Sequence, residues 1–360
     1  MSSSSALHIH AGPAARRHIE SHGLRPADVR VVAAAAGGPK GLILNPLDQF
    51  LFGRWLGASA HPVHLVGASI GAWRMATAAM DAPMQGFARL AHDYIRQDYE
   101  IEPGRSMPSA AQVSREFERE LHDFFDGQVE QVVAHPRYRL HIVTSRGRHI
   151  LGREGRVRTP LGYLGAVLSN AVSRKTLGAW LERVVFSSPG DALPVDLGDL
   201  RHRRVRLDAA NFRSALLASC SIPFVLKAVH DIPGAPPGAY WDGGITDYHL
   251  HWRYPSLGEG LVLYPHFQKA VVPGWLDKAL KHRHRATPSL DNVVVLAPNP
   301  EWVRSLPNAK LPDRNDFRHY GPNLAARVRD WSRAVAESQR LADEFAAWLE
   351  KPDASKLQPL

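Results

Sequence analysis

The sequence predicts an α/β protein built on a sheet that is at least partly parallel. Short apolar runs of strand length alternate along the chain with longer segments whose apolar residues have helical spacing. Glycine-rich turns stand between a strand and the following helix at two places near the N-terminus. Strands that alternate with helices usually pair in parallel, because the helix carries the chain back to the starting edge of the sheet.

The predicted elements begin with a leader over residues 1–29, in which a short helix near residues 13–22 ends at Gly23. Residues 30–35 are a compact apolar run bounded by glycines, which is typical of a buried strand. Helical spacing of apolar residues then predicts a helix over residues 40–56. Further strands are predicted at residues 64–66, 138–144, 183–187, 204–207, 260–264 and 292–297. Further helices are predicted from Gly71 to Met80 and over residues 84–99, 112–125 and 323–349.

Composition limits the class of protein. The chain has 360 residues with 44% apolar content, enough for a substantial core. Its single cysteine excludes an intrachain disulfide framework and any cysteine-clustered zinc or iron–sulfur site. No stretch approaches the roughly 20 consecutive apolar residues of a spanning helix, and the N-terminus lacks the pattern of a secretory signal. We expect a cytoplasmic protein, with peripheral contact to the inner face of a membrane left open.

The formal net charge is +9, and basic residues cluster at residues 201–204 and 281–285. Such clusters can attract nucleic acid or an anionic membrane surface. A solvated basic face is the simpler explanation. Aromatic residues are not interleaved with the basic ones as in RNA-binding proteins, so no specific nucleic-acid partner is expected. The oligomeric state is not predicted.

The first of three glycine motifs is Ala36-Gly37-Gly38-Pro39-Lys40-Gly41, between a predicted strand and helix. Glycines there leave backbone N–H groups unshielded beside the positive end of a helix, which suits an oxyanion hole or a phosphate cradle. The loop lacks the spacing and the ending of a Walker A motif, and it fits a dinucleotide fingerprint poorly. We predict that the amides of Gly37 and Gly38 are oxyanion donors.

The second motif is Gly67-Ala68-Ser69-Ile70-Gly71, a match to the G-x-S-x-G pattern of a nucleophile elbow. The elbow needs small residues at the positions of Gly67 and Gly71, because neighbouring backbone passes close to the tight turn while the hydroxyl points outward. The motif follows a short apolar strand and precedes an apolar helix, as the elbow requires. This context predicts Ser69 as a nucleophile.

The third motif is Asp242-Gly243-Gly244, preceded by the apolar pair Tyr240-Trp241. A carboxylate at a strand end, followed by two glycines, can be held rigidly with open space beside it. A plain Asp-Gly turn is the alternative. Each motif alone is a weak signal, and the conjunction of all three carries the prediction of a catalytic site.

The serine also needs a base, because a hydroxyl is a poor nucleophile until its proton is removed. In α/β-hydrolases the base is a histidine that follows the serine and the acid along the chain. His249, His251 and His266 all follow Asp242, so chain order leaves such a triad open. Strand count argues against it, since only about two strands precede Ser69 whereas several precede the elbow of an α/β-hydrolase.

The three motifs, in this order, resemble those of the patatin-like phospholipases, which carry G-G-x-[R/K]-G, then G-x-S-x-G, then D-G-[A/G]. Residues 218–224, which contain small residues and a proline, are similar to the stretch that precedes the aspartate in this family. The resemblance covers roughly residues 30–250. It implies a three-layer α/β/α sandwich with a mostly parallel sheet, hydrolysis of fatty acyl esters in lipids, and no cofactor.

The resemblance also implies roles for individual residues. Ser69 is the nucleophile and Asp242 the direct general base, without a histidine. The backbone around Lys40 and Gly41 joins the oxyanion loop. The sequence departs from the family pattern at Ala36, where a third glycine is common, and at Lys40, where arginine is commoner.

Residues 30–250 are therefore predicted to form the catalytic domain, and residues 251–360 an extension packed on it that ends in a long helix. The expected substrate is a lipid acyl ester, with peripheral contact to an anionic membrane surface as a further expectation. Two alternatives stay open: a non-catalytic lipid- or nucleic-acid-binding protein on the same fold, and a Ser-His-Asp triad esterase. No metal site is predicted, because the spacing of the scattered histidines indicates no third ligand.

Overall fold

The computed structural model describes residues 5–99 and 108–360. A mostly parallel sheet lies at its centre and helices flank the sheet, which confirms the three-layer α/β/α fold. The described strands are β1 (Leu7–Ala11), β2 (Val29–Ala34), β3 (Val63–Ala68), β4 (Tyr138–Gly147), β5 (Leu181–Ser187), β6 (His202–Arg206), β7 (Val229–His230), β8 (Ala239–Asp242), β9 (Leu261–Pro265), β10 (Val293–Pro298) and β11 (Leu357–Pro359).

The α-helices precede, separate and follow these strands along the chain. They are α1 (Pro13–His22), α2 (Asn45–Phe50), α3 (Ile70–Ala78), α4 (Pro83–Arg96), α5 (Ala110–Phe124), α6 (Val129–Val133), α7 (Arg158–Val172), α8 (Phe212–Cys220), α9 (Gly244–Asp247), α10 (Pro300–Ser305), α11 (Asn315–Tyr320), α12 (Leu324–Glu337) and α13 (Gln339–Glu350). Within the described ranges, none of them has the length and apolar character that crossing a membrane requires.

The main path of the sheet has the order β11-β1-β10-β9-β2-β3-β4-β5-β6. Strands β10, β9, β2, β3 and β4 form parallel pairs, whereas β1 is antiparallel to β10 and β5 is antiparallel to β4. The residues of β3, β9 and β10 are buried throughout. Their sequences are accordingly nearly continuous apolar runs, as is usual for strands covered on both faces.

The ends of β3 and β8 meet beside β4. Ala68 at the end of β3 pairs with Val143, and Asp242 at the end of β8 pairs with the next residue, Thr144. β8 runs antiparallel to β4, and β5 occupies the other edge of β4 over this stretch, so β3 and β8 share one edge and point towards each other. The residues that follow β3 and end β8 are therefore brought together.

Most of the predicted elements are present, but two helices differ from the prediction. The segment over residues 40–56 is a succession of a 3-10 turn (Gly38–Leu44), α2 and a π-turn (Leu51–Trp55). Pro46 explains the late start of α2, because proline has no N–H to donate to the preceding turn. The predicted long helix over residues 323–349 is two helices that meet at Ser338, whose hydroxyl donates to the carbonyl of Val335 at 2.7 Å.

The expected leader also contains a strand that the prediction missed. β1 lies between β10 and β11, and four of its five residues are buried. Its helix, α1, has the predicted bounds and ends at Gly23. Because β9 lies between β2 and β10 in the sheet, we propose that residues 251–360 belong to the same structural domain as residues 30–250.

Candidate active site

The turn between β3 and α3 has the geometry of a nucleophile elbow. Ser69 has φ of +56° and ψ of −131°, a conformation that is strained for any residue with a side chain. A Cβ atom on Gly67 would lie 2.4 Å from the backbone of Gly71, and one on Gly71 would lie 2.1 Å from the carbonyl oxygen of Ala34. The two glycines of the motif are therefore required for steric reasons.

Ser69 and Asp242 are in direct contact. The Ser69 hydroxyl donates a hydrogen bond of 2.7 Å to Oδ2 of Asp242, and both side chains are buried. The other carboxylate oxygen, Oδ1, accepts a 2.7 Å hydrogen bond from the amide of Gly244. Gly243 and Gly244 thus turn the chain so that one carboxylate oxygen is held by backbone and the other faces the serine.

The end of α8 holds the backbone of both residues. The Ser69 amide donates to Oγ of Ser219 at 2.9 Å, and that hydroxyl donates to the carbonyl of Val143 at 2.7 Å. The Asp242 amide donates to the carbonyl of Ser221 at 2.9 Å. These two serines lie in the small-residue stretch that carries part of the family resemblance, and their positioning contacts are not evident from sequence.

The Asp242 carboxyl is basic for an aspartate. Burial raises its pKa above the ordinary value, and this effect exceeds the opposing effects of the Arg314 charge, the Ser69 hydroxyl and the Gly244 amide. Desolvation makes a carboxylate a better proton acceptor than one in water, although the two hydrogen bonds reduce this gain. The arrangement can therefore accept the serine proton directly.

The glycine-rich loop runs beside this pair. Gly37 lines the same cavity as Asp242, and within the described residues its amide donates to no protein acceptor. Gly38 follows with φ of +58°, a left-handed conformation that favours glycine. The methyl group of Ala36 lies 2.6 Å from the position that a Cβ on Gly244 would take. The alanine that departs from the family pattern is thus accommodated by a glycine in another motif.

The remaining loop residues lie at the cavity and behind it. Lys40 lines the cavity, half-buried, with its ammonium group 5.4 Å from the centre of the Phe267 ring. Gly41 packs against Ile70, the residue after the candidate nucleophile.

The cavity is lined by Asp242, the hydrogen-bond partner of Ser69, and has a volume of about 230 Å³. Three cations and the carboxylate of Asp313 also border it. The cations are Lys40, Lys278 and Arg314, and within the described part of the chain none of them has a carboxylate at ion-pair distance. Burial, together with the charges of the other two cations, lowers the pKa of Lys278 to about 8. Lys278 and Arg314 belong to no sequence motif, and only the fold brings them to the cavity.

The three histidines of the triad alternative contact other groups. In each of them Nδ1 is hydrogen-bonded to a backbone carbonyl. The partner is Ala270 for His249, Val271 for His251 and Gln268 for His266. Among the described residues, none of the three has a hydrogen bond to Ser69 or Asp242. The observed geometry favours the direct serine–aspartate contact over a triad. Nor do the described residues include a group of three or more histidine, cysteine, aspartate or glutamate side chains that could hold a metal ion.

Two buried arginine–aspartate pairs anchor the helices that follow the two candidate catalytic residues. Arg74 on α3 donates to both carboxylate oxygens of Asp48, at 2.6 and 2.7 Å. Arg183 on β5 donates to both oxygens of Asp247 in α9, at 2.7 and 2.5 Å. The partners are 26 and 64 residues apart in sequence, so no local pattern indicates either pair.

The fold is a three-layer α/β/α sandwich, and an elbow serine contacts an aspartate where two strand ends meet. These features define a class of α/β proteins with a serine-centred site. A sequence model of the patatin-like phospholipases matches residues 37–249, a range that includes all three glycine motifs. The chain belongs to the patatin-like phospholipase family, whose members act on lipids. A search of curated proteins finds no match.

Proposed function

We propose that this protein hydrolyses fatty acyl esters of lipids, with Ser69 as the nucleophile and Asp242 as the general base. The observation that carries the proposal is the buried 2.7 Å hydrogen bond between the serine hydroxyl and the carboxylate. Membership of a family of lipid acyl hydrolases supports the same reaction class.

In the proposed first step, Asp242 takes the proton of the Ser69 hydroxyl while Oγ forms a bond to the ester carbonyl carbon. The carbonyl oxygen becomes an oxyanion, which the amides of Gly37 and Gly38 and the backbone of Lys40 and Gly41 would stabilise. The carbon–oxygen bond to the alcohol then breaks, and the protonated carboxyl of Asp242 gives its proton to the departing oxygen.

The second step releases the fatty acid from the serine ester. A water molecule gives a proton to Asp242 and adds its oxygen to the acyl carbon. When the second tetrahedral intermediate collapses, the bond to Oγ breaks and the serine regains its proton from Asp242. No cofactor takes part in either step.

The charges around the cavity favour an anionic substrate. Lys40, Lys278 and Arg314 line it, and in the described residues none of the three is at ion-pair distance from a carboxylate. They outnumber the two carboxylates of the lining, Asp242 and Asp313, so a phosphate or carboxylate close to the ester bond would have complementary charges. Lipids with an anionic headgroup have this chemistry. We include in the proposal that the protein meets them at an anionic membrane surface.

The test is labelling with a fluorophosphonate probe together with hydrolysis of p-nitrophenyl esters by the wild type, Ser69→Ala and Asp242→Asn. We expect Ser69→Ala to abolish labelling and Asp242→Asn to lower kcat by roughly 10²–10⁴-fold, since the amide cannot accept the proton. Ser188→Ala, which alters a buried serine outside the cavity, is the control and should retain full activity. Labelling of Ser69→Ala, or full activity of Asp242→Asn, would contradict the assigned roles. A wild type that neither labels nor hydrolyses esters, even with anionic vesicles present, would indicate a lipid-binding protein instead.

A further inference from the structure

Helix α7 carries an exposed apolar surface. Eleven large apolar side chains are exposed in the part of the chain that the structure describes, and ten of them lie on α7 or beside it. Six belong to α7 and the residue before it, and these are Val157, Leu161, Leu164, Val167, Leu168 and Val172. Single exposed apolar residues are normal on a protein surface, but a contiguous cluster indicates an interaction site.

The helix is apolar on two opposite faces. Tyr163 and Ala166 are buried among the residues of β5 and β8, and Asn170 on the same side is also buried. The opposite face carries Leu161, Leu164, Leu168 and Val172, spaced three or four residues apart and all exposed. From Thr159 to Ser173 the sequence contains no charged residue. A helix that is apolar all round is normally covered on all sides.

Two further exposed apolar residues, Phe224 and Trp275, lie at the mouth of the candidate active site, on segments that contact the buried side of α7. Pro223 lines the cavity, and the next residue, Phe224, is 63% exposed with φ of +69°, an unusual conformation for an aromatic residue. Its ring lies 5.8 Å from that of Tyr163 on α7. Trp275 also lines the cavity and is 42% exposed.

The segment that carries Trp275 is joined to α7. Asn170 donates a 2.8 Å hydrogen bond to Asp277, two residues after this tryptophan. We call Leu161, Leu164, Leu168, Val172, Phe224 and Trp275 the α7 face.

Cations lie at both ends of the α7 face. Arg156 and Arg158 are exposed at the N-terminal end and Lys175 at the C-terminal end, and within the described residues none of them has a carboxylate at ion-pair distance. The basic segment over residues 281–285 also reaches the C-terminal end, where Arg283 donates to the carbonyl of Ala171. An apolar helix surface flanked by basic residues is the pattern of an interfacial helix on anionic lipid.

A second copy of the chain is a poorer occupant of this surface. Because both ends of α7 are cationic, two copies packed face to face would oppose like charges in either helix orientation. An anionic bilayer would instead neutralise both ends while it covers the apolar residues between them.

We propose that the α7 face docks on the surface of an anionic lipid bilayer and so places the mouth of the cavity against the lipid. This inference rests on the proposed function, because it supplies the route by which an acyl chain passes from the bilayer to Ser69. The acyl chain then moves from one apolar environment to another without crossing water.

The test is co-sedimentation with vesicles, carried out on the Ser69→Ala chain so that the lipid is not consumed. The vesicles contain phosphatidylcholine alone or an equimolar mixture with phosphatidylglycerol. We expect binding to the anionic vesicles that weakens as salt is raised. In this background, Leu161→Ser/Leu164→Ser/Leu168→Ser should lower the partition coefficient at least tenfold.

Single substitutions provide a matched comparison in case the triple variant does not fold. Leu164 and Met84 are exposed to similar degrees, 55% and 51%, but Met84 lies on α4, outside the α7 face. Leu164→Ser should weaken vesicle binding severalfold, whereas Met84→Ser should leave it unchanged. Arg156→Gln/Lys175→Gln should weaken binding to anionic vesicles and leave the weaker binding to neutral vesicles unaltered.

Activity assays use variants that retain Ser69, and they separate this proposal from the proposed function. The triple leucine variant should hydrolyse a soluble short-chain ester at the wild-type rate and lose most of its activity on vesicle phospholipid. Vesicle binding without any ester hydrolysis would support docking and refute the proposed function. Ester hydrolysis without vesicle binding, or equal vesicle binding by the wild type and Leu164→Ser, would overturn the docking proposal. A wild-type dimer that the leucine substitutions dissociate, with no vesicle binding, would assign the α7 face to self-association.

Discussion

At the scale of single residues, the candidate site depends on a carboxyl group that is buried and still has to be ionised to act. Burial raises the pKa of Asp242, and the nearby charge of Arg314 is the largest of the influences that lower it. Arg314 follows the glycine-rich loop by 273 residues in the chain (from Gly41 to Arg314), and the fold brings it to the border of the same cavity as Gly37. The effect of Arg314 on the pKa of Asp242 can be tested separately from its attraction for an anionic substrate.

We predict that Arg314→Met moves the acidic limb of the pH profile to higher pH. Without the guanidinium the carboxylate loses a stabilising charge, so its pKa rises further. Since the reaction needs the ionised form, activity would be lost at a higher pH as the solution is acidified. The measurement is kcat/KM against pH on an uncharged p-nitrophenyl ester, whose binding does not depend on the cation.

The control for this prediction is Arg318→Met, which removes an exposed arginine of α11 that does not line the cavity. It should leave the acidic limb in place. If Arg314→Met leaves the acidic limb of the pH profile unchanged, the Arg314 charge is too well screened by solvent to influence the pKa of Asp242.

At the scale of elements, the site is built where β3 and β8 meet end to end beside β4. The two helices that leave this point, α3 and α9, are each tied down by a buried arginine–aspartate pair. Such a pair contributes little net stability compared with an apolar pair of the same shape, but breaking it leaves one charge buried alone. The pairs therefore fix where the helices lie more than they stabilise the fold.

We predict that Arg74→Met lowers the free energy of unfolding by about 3–5 kcal/mol, because the Asp48 carboxylate stays buried without a partner. Denaturant unfolding measures the change. The control is Asp48→Leu/Arg74→Met, which removes both charges and should cost much less than the single substitution. A loss below about 1 kcal/mol for Arg74→Met would show that water reaches the carboxylate and that the pair is not an anchor.

At the scale of the whole molecule, the two ends of the described chain are joined in one sheet. β1 pairs with β10 on one side and with β11 on the other. Glu344 of α13 holds the start of β1, because its carboxylate accepts hydrogen bonds from the Ser5 hydroxyl and from the amides of Ala6 and Leu7, at 2.6–3.0 Å. The C-terminal helix thus orders the N-terminal strand.

We predict that Glu344→Gln lowers the free energy of unfolding by about 1–3 kcal/mol at neutral pH, because charge-assisted hydrogen bonds are replaced by weaker ones. Although burial opposes it, these hydrogen bonds lower the pKa of Glu344 below its ordinary value of 4.5. The contribution is therefore present above pH 4.5 and is lost as pH falls through the lowered pKa in the folded protein.

The measurement is denaturant unfolding of the wild type and Glu344→Gln at several pH values. The difference between them should shrink as the solution is acidified. Glu337→Gln, at an exposed glutamate of α12, is the control and should change stability little at any pH. A difference that does not depend on pH would contradict a role for the charge.

Much of the fold follows from local sequence patterns. The strand that ends before Gly37 is buried except at Arg30, and the strand that ends before Ser69 is buried throughout. Each is therefore a short, mainly apolar run that local composition indicates. The elbow is equally local, because the requirement for Gly67 and Gly71 arises from backbone within the turn and from the adjacent β2.

Other features depend on contacts between residues that are far apart in the chain. The sequence determined the strands that precede the glycine-rich loop and the elbow, the elbow at Ser69 and the aspartate motif, because each is written in consecutive residues. Only the tertiary structure decided that β8 brings Asp242 to the serine, that Lys278 and Arg314 border the cavity, and which face of α7 is exposed. The pattern of α7 is apolar on both sides, so burial of one face and exposure of the other are set by the elements packed around it.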